Sequence, residues 1–256
     1  MRHMFIAIMA VLMAGQAAAK DVLSGASLYE DVTRYASFGL HRFGSPGDRA
    51  TGEWIAAELK AAGFEVRSQP VVLGCVCERG PGIANFLALA RTVAVEKWPA
   101  HVVFIATAGH EIGHEIGHGG MELFLKNGAP APKETLAWIH FGSSNACYAF
   151  AEGARSDRPE EERYLVLSKS AVALTDEAFA KVGAKRLVTE KQAVGELRDV
   201  HAAGYANFLG MAGRHRTFHT PSDDLAATGP ELLEPVARAF VQAARKIVER
   251  GNAAFR

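Results

Sequence analysis

The stretch Val102 to Gly120, VVFIATAGHEIGHEIGHGG, constrains the fold more than any other part of the chain. Its first residues, Val102, Val103, Phe104 and Ile105, are β-branched or aromatic, too few for a helix and bounded by loop residues. That pattern predicts a buried strand. In open α/β sheets ligands bind in the crevice beyond the carboxyl ends of the strands, and His110, Glu111, His114, Glu115 and His118 all fall there. These side chains are of the types that bind metals and act as general bases.

His110-Glu111-Ile112-Gly113-His114 also fits H-E-x-x-H, and the pattern repeats in overlap through His118. That motif works only from a helix, which puts both His on one face. Gly109, Gly113, Gly117, Gly119 and Gly120 argue against a helix, since each Gly inside one costs about 1 kcal/mol relative to Ala. The longer metzincin pattern fails as well, because Gly120 stands where its third His would be. A helical zincin and a His-rich surface loop that scavenges metal are the two alternatives to a strand-end site.

With 256 residues, 49% of them hydrophobic and 22% charged, the chain can bury one sizeable core. Its 28 basic residues balance 28 acidic ones. Nothing in that balance points to nucleic acid or to an anionic membrane surface. Residues 1–19 place Arg2 and His3 before the apolar run Met4–Ala14 and end in small residues suited to A-x-A cleavage, which reads as a secretory signal peptide. The expectation is an exported, periplasmic or extracellular protein with no membrane span after cleavage, residues 20–256 forming a single domain. Three Cys leave at least one unpaired. Cys75 and Cys77 are too close for an easy mutual bridge, and either could reach Cys147 if the fold brings them together.

Helical spacing predicts helices over Ser27–Ser37, Thr51–Ala62, Ile83–Val95, Asp176–Val182 and Glu231–Val248, the second closed by Gly63. Apolar runs predict strands at Phe64–Val66, Leu136–Phe141, Tyr164–Leu167 and Phe208–Met211. Gly39–Gly47, Arg155–Arg163 and Gly195–Gly204 read as loops. The last of these holds Glu196, Asp199 and His201, possible ligands without a spacing signature.

The segment GLHRFGSPGDRATGEWIAAELKAAGFEV, from Gly39 to Val66, resembles the entry of the two-zinc exopeptidases related to bacterial leucyl aminopeptidase and glutamate carboxypeptidase. Phe218-His219-Thr220-Pro221-Ser222-Asp223 matches that family's closing His-Thr-x-x-Asp motif, whose His binds zinc. The resemblance runs from about Leu28 to Val248, shortened at about residues 68–84. It implies an α/β three-layer sandwich with a mixed, mostly parallel central sheet and a secreted, aminopeptidase-like hydrolase acting on a peptide or small aminoacyl substrate. The family's Glu-Glu pair, base then ligand, aligns with His110-Glu111. A subset carries His-Glu-Leu-Gly-His there, with Cys-x-x-Glu-Arg-Gly upstream, and Cys75 or Cys77 with Glu78-Arg79-Gly80 resembles it.

The sequence also departs from the family. No His-x-Asp precedes the helix that begins near Gly82, Ala84-Asn85 stands where Asp-Asn is expected, and an Asp ligand is missing at about Gly142. Glu111 and His219 survive as ligands, with His110 or His114 as third ligand or base. His118, Glu115, His140, Asp199 and His201 are accessory candidates. This set predicts one zinc ion rather than two. The alternative is an inactive member of the same fold that binds a peptide or a metal.

Overall fold

Helices begin where the sequence supplies caps. In the computed structural model, which describes residues 21–39, 45–67, 79–107, 119–151, 154–189, 193–218 and 223–255, α1 (Gly25–Ser37) starts on Ser24, whose hydroxyl accepts from the Ser27 amide. It turns Leu28, Val32 and Tyr35 inward at helical spacing. Helix α2 (Pro46–Ala61) starts on Ser45 with Pro46 in its first turn, so two residues expected in a loop instead open the helix. Gly63, at φ 91°, follows its end, a left-handed position that suits glycine. Helices α3 (Gly80–Glu96), α4 (Gly120–Asn127), α5 (Val172–Ala178), α6 (Leu197–Ala202) and α7 (Pro230–Arg250) complete the set.

The strands are β1 (Trp138–Phe141), β2 (Tyr148–Ala151), β3 (Ala154–Pro159), β4 (Arg163–Ser168), β5 (Lys185–Thr189) and β6 (Phe208–Gly213). They form a four-stranded sheet in the order β1-β6-β4-β5 and a separate β2-β3 hairpin. Pairs β1-β6 and β4-β5 are parallel and β4-β6 is antiparallel, so the sheet is mixed and mostly parallel. Alternation along the strands divides the interior. Ile139, Phe141, Leu165, Leu167, Leu209 and Met211 face a large core with α1, α3, α5 and α7. Trp138, Val166 and Phe208 face a smaller one with Met121 of α4 and Leu197 and Val200 of α6. The architecture is the expected α/β sandwich of three layers.

On the larger side Arg91 of α3 donates to Asp31 of α1 at 2.6 Å and to Glu58 of α2 at 2.7 Å, joining three helices. Phe240 of α7 is fully buried, its ring 4.6 Å from that of Phe141 and 5.1 Å from that of Phe179.

Several expectations are corrected. Val102–Ile105 runs extended, but among the described residues it has no ladder partner, and Val103 is 46% exposed. An apolar β-branched run specifies an extended backbone and leaves the partner open. Phe64–Val66 likewise forms no strand, and the Phe64 ring meets Phe104 edge-on at 5.0 Å. Most of the expected loop at Arg155–Arg163 is strand β3, whose residues are nearly all exposed, so no polar-apolar alternation marks it. The loop at Gly195–Gly204 contains α6, six residues long and too short to show a period. The helix expected at Asp176–Val182 lies earlier, at Val172–Ala178. His110, Glu111, His114, Glu115, His118, His219, Cys75, Cys77 and residues 1–19 lie outside the described residues. Among the described ones, no helix is long and apolar enough to cross a membrane.

Truncating a fully buried aromatic removes its transfer energy and leaves a cavity, so Phe240→Ala should cost about 3–5 kcal/mol in urea unfolding. Val95→Ala, at a position 77% exposed, should stay within about 0.5 kcal/mol. A Phe240→Ala cost below about 1 kcal/mol would contradict the packing of α7 on the sheet.

Candidate functional site

A cavity of about 690 Å³ lies between the extended segment 101–107 and β1. On its other side β1 is paired with β6. The Trp138 amide donates to the Asn207 carbonyl and the Gly142 amide to that of Met211, both at 2.9 Å and both toward β6. Ile83, Phe86, Phe104, Ile105, Trp138 and Phe141 make most of the wall apolar. Phe86 stands edge-on to both Phe104 and Phe141, at 5.3 and 6.1 Å, and so floors the gap.

Arg79, Thr107, His140 and Glu196 supply polar groups to the same cavity. His140 projects from β1, and Glu196 is the N-cap residue of α6, following Gly195 at φ 60°. The Thr107 hydroxyl donates to Glu196 Oε1 at 2.6 Å. Glu196 Oε2 lies 3.3 Å from His140 Nε2, so the ring is a donor there when the carboxyl is ionised. Burial alone would raise the Glu196 carboxyl. The hydrogen bond and charge of His140, the charge of Arg79 and the Thr107 hydroxyl outweigh it and hold the group at about 2. Glu196 is therefore an anion at neutral pH, fixed at the inner end of an apolar space.

The positions where the resembled family would carry further carboxylates are filled by packing. Ala84 is fully buried in the larger core, and the Asn85 amide donates to Asn145 at 3.3 Å. A Cβ at Gly142 would stand 2.4 Å from the Met211 carbonyl oxygen, which excludes an Asp there without moving β6. Of the accessory candidates, His140 joins the site. Asp199 pairs with its neighbour Arg198 at 3.2 Å and His201 lies against Phe208, and neither lines the cavity. Among the described residues no group of three or more His, Cys, Asp or Glu is placed to hold a metal ion.

No family model matches the chain, and no curated protein matches it. Solved structures do. Porphyromonas gingivalis glutaminyl cyclase superposes with a TM-score of 0.62 at 13% identity, over 89% of this chain and 99% of its own. A leucine aminopeptidase precursor from Bacteroides thetaiotaomicron gives 0.61 at 12% identity, over 86% and 96%. A Zn-dependent exopeptidase from Parabacteroides distasonis gives 0.58 at 12% identity, over 88% and 98%. The fold is that of zinc-dependent exopeptidases and glutaminyl cyclases. At these identities the likeness is one of fold.

Within this zinc-exopeptidase-like fold a second polar cluster lies where β1 and β6 end, and the sequence did not single it out. His215 Nδ1 is 3.0 Å from Ser144 Oγ, and His215 Nε2 is 2.7 Å from Asp223 Oδ1. Ser144 sits in the turn after β1 with a left-handed φ of 50°, uncommon for a residue with a side chain. These are the residue types of a nucleophilic triad, but a triad places the Ser on Nε2 and the acid on Nδ1. Here the ring is reversed. Ser144 and the His215 side chain are, moreover, fully sealed from solvent. The cluster is a buried tie between loops. Burial alone would lower the His215 ring, but Asp223 and the neighbouring Cys147 outweigh it and raise it to about 10. Cys147 itself is free and buried. Nearby, Arg163 donates to the carbonyls of Glu160, Asn145 and Val182 at 2.9, 3.3 and 2.8 Å, satisfying a second buried cation without a carboxylate. The only sequence hint of the tie was Asp223, the Asp of the His-Thr-x-x-Asp match, with His215 four positions before that motif's His.

Because the folded His215 ring binds its proton more tightly than the unfolded one, its stabilisation is complete below the ordinary value of 6.5 and is lost as pH rises through about 10. The stability difference between the wild type and His215→Gln, measured by urea unfolding, should therefore shrink steadily from pH 6 to pH 10. A difference independent of pH would show that the ring carries no extra proton in the folded state.

Proposed function

We propose that the chain is an exported, zinc-dependent, aminopeptidase-like hydrolase with a one-metal site at the inner end of the cavity. The observation that carries this reading is the His140–Glu196 pair. Metal-ligating His residues characteristically donate their other ring N–H to a carboxylate, which fixes the tautomer and raises the basicity of the ligating nitrogen. Glu196 stands at His140 Nε2, and among the described residues no hydrogen bond takes up Nδ1. The described donor set fits zinc in this limited sense, and His140 becomes a ligand candidate beside Glu111 and His219. His110 or His114 would be the third ligand or the base, and His118 and Glu115 are accessory donors in the same stretch.

Zinc bound by these residues would supply Lewis acidity and a bound water of pKa near ~7. The chain's own groups do the rest. Glu196, held ionised, keeps the His140 ring in one tautomer, and Thr107 holds Glu196. The walls at Ile83, Phe86, Phe104 and Trp138 exclude water and receive an apolar side chain of a peptide or aminoacyl substrate. His110 takes the proton of the attacking water, a role open to imidazole near neutral pH. A second reading, a non-catalytic member that binds a peptide or a metal, is favoured by one observation: packing occupies the carboxylate positions at Ala84 and Gly142.

Elemental analysis of the purified chain, supplied with zinc, separates these readings. About one zinc per chain is expected in the wild type, lost in Glu111→Ala and His219→Ala, with Glu196→Gln weakening affinity about 10–100-fold. Hydrolysis of aminoacyl substrates should fall with the metal. A peptide with N-terminal glutamine, run alongside, reports the cyclisation for which the cyclases of this fold are named. Zinc retained in both alanine variants would sink the ligand assignment, and zinc without turnover would leave the binding protein.

A further inference from the structure

Arg79 is the only Arg or Lys among the described residues of the cavity wall. It is half-buried as the N-cap residue of α3, and its φ of −88° and ψ of −18° are already helical. Residues three and four apart share a helix face, so Gly82, Ile83 and Phe86 follow it along the same wall. Gly82 seats this end of α3 on the end of β1, since a Cβ there would stand 3.0 Å from the Phe141 and Gly142 carbonyl oxygens.

Every other described arginine withdrawn from water has acceptors. Arg91 has Asp31 and Glu58, Arg163 has three carbonyls and Arg245 has Glu96. The Arg79 guanidinium has none among the described residues. Its charge is felt at Glu196, but no ion pair joins them, and both Glu196 oxygens are already taken by Thr107 and His140. A cation held away from water without an acceptor costs stability. A bound anion would offset that cost, and a planar guanidinium takes a carboxylate through two parallel hydrogen bonds.

The surroundings of Arg79 define the rest of the ligand. Ile83 stands one helical turn along and Phe86 two, with Phe104 edge-on to Phe86 across the gap. A carboxylate at Arg79 therefore lies about 5–6 Å from apolar surface. An α-carboxylate beside its own apolar side chain meets that spacing, whereas an acidic side chain brings polar backbone to the same wall. A space of about 690 Å³ is of the size that encloses a small ligand, which keeps the peptide short.

We propose that Arg79 is a specificity-determining residue that takes the free α-carboxylate of a short peptide ending in an apolar residue. The apolar side chain of that residue lies against Ile83, Phe86 and Phe104. This names the substrate class of the proposed hydrolase and rests on the cavity being its site.

Calorimetric titration of the full chain with N-acetylphenylalanine and with its C-terminal amide tests the assignment. Wild type should bind the acid about 10–100-fold more tightly than the amide. Arg79→Gln should bind both as wild type binds the amide, and Arg79→Lys, a point charge, should keep part of the preference. Phe86→Ala should weaken both ligands and leave their ratio unchanged. The α-amide of N-acetylglutamic acid, whose carboxylate is on the side chain, should bind no better than the neutral amide. In urea unfolding the midpoint of Arg79→Gln should equal or exceed that of wild type, because no partner is lost. No binding of the acid, equal binding of acid and amide by wild type, or an acid preference that survives in Arg79→Gln would overturn the proposal. So would a lowered midpoint in that variant, or a side-chain acid bound as well as N-acetylphenylalanine. The hydrolase reading fails separately: acid-selective binding that depends on Arg79, with no cleavage of leucyl-phenylalanine, keeps the carboxylate anchor and removes the hydrolase.

Discussion

The approach of β1 to β6 governs the placement of nearly everything around it. At Gly210 a Cβ would stand 2.6 Å from the His140 carbonyl oxygen, and at Gly142 one would stand 2.4 Å from that of Met211. Two residues without side chains let the strands come together, and each empty space is taken by backbone of the other strand. His140 is carried into the smaller core side by this pairing, opposite Gly210 in the register. The turn that follows, Gly142 to Ala146, then has no room to do anything but fold back under β6, where Ser144 meets His215. The same closeness removes the space a carboxylate would need at Gly142.

Buried charge is the second theme, and the chain satisfies each instance by a different means. Glu196 is held by a hydroxyl, an imidazole and a more distant guanidinium. His215 has a carboxylate and a hydroxyl. Arg163 has three carbonyl oxygens. An unpaired buried charge costs far more than any of these arrangements returns, so such groups persist where their geometry matters. Arg91 is the contrasting case. It is partly open to water and bridges Asp31 and Glu58, a joint between helices.

The sequence made the layers of the fold legible because the long helices and the central strands each bury one face. Leu28, Val32 and Tyr35, or the apolar stripe of α7, state their period plainly. It failed at β3, where both faces are wet, and at α6, where six residues cannot show a period. It failed at Val102–Ile105 for another reason, since composition fixes the extended backbone but not which strand it pairs with. For the site, His140 was legible only as one donor among several. Its partner Glu196 stood 56 positions away in an apparently polar loop, and no spacing rule connects them. The same is true of Ser144 and His215, separated by 71 positions. Contacts of that range arise from topology, and only the folded chain displays them.

The outer strand β5 bears on how the protein behaves when crowded. Among the described residues it is the last strand of the sheet, with no ladder partner on its outer side; four of its five residues are exposed, and Leu187 and Val188 present apolar surface there. Such a border is a template on which another chain could grow by strand addition. Lys185 and Arg186 open it with two positive charges, and Arg186 is drawn to Asp176 of α5. Two copies meeting edge to edge would bring like charges together before any ladder formed. A basic pair on an exposed border is one way a chain keeps a sheet from growing by strand addition.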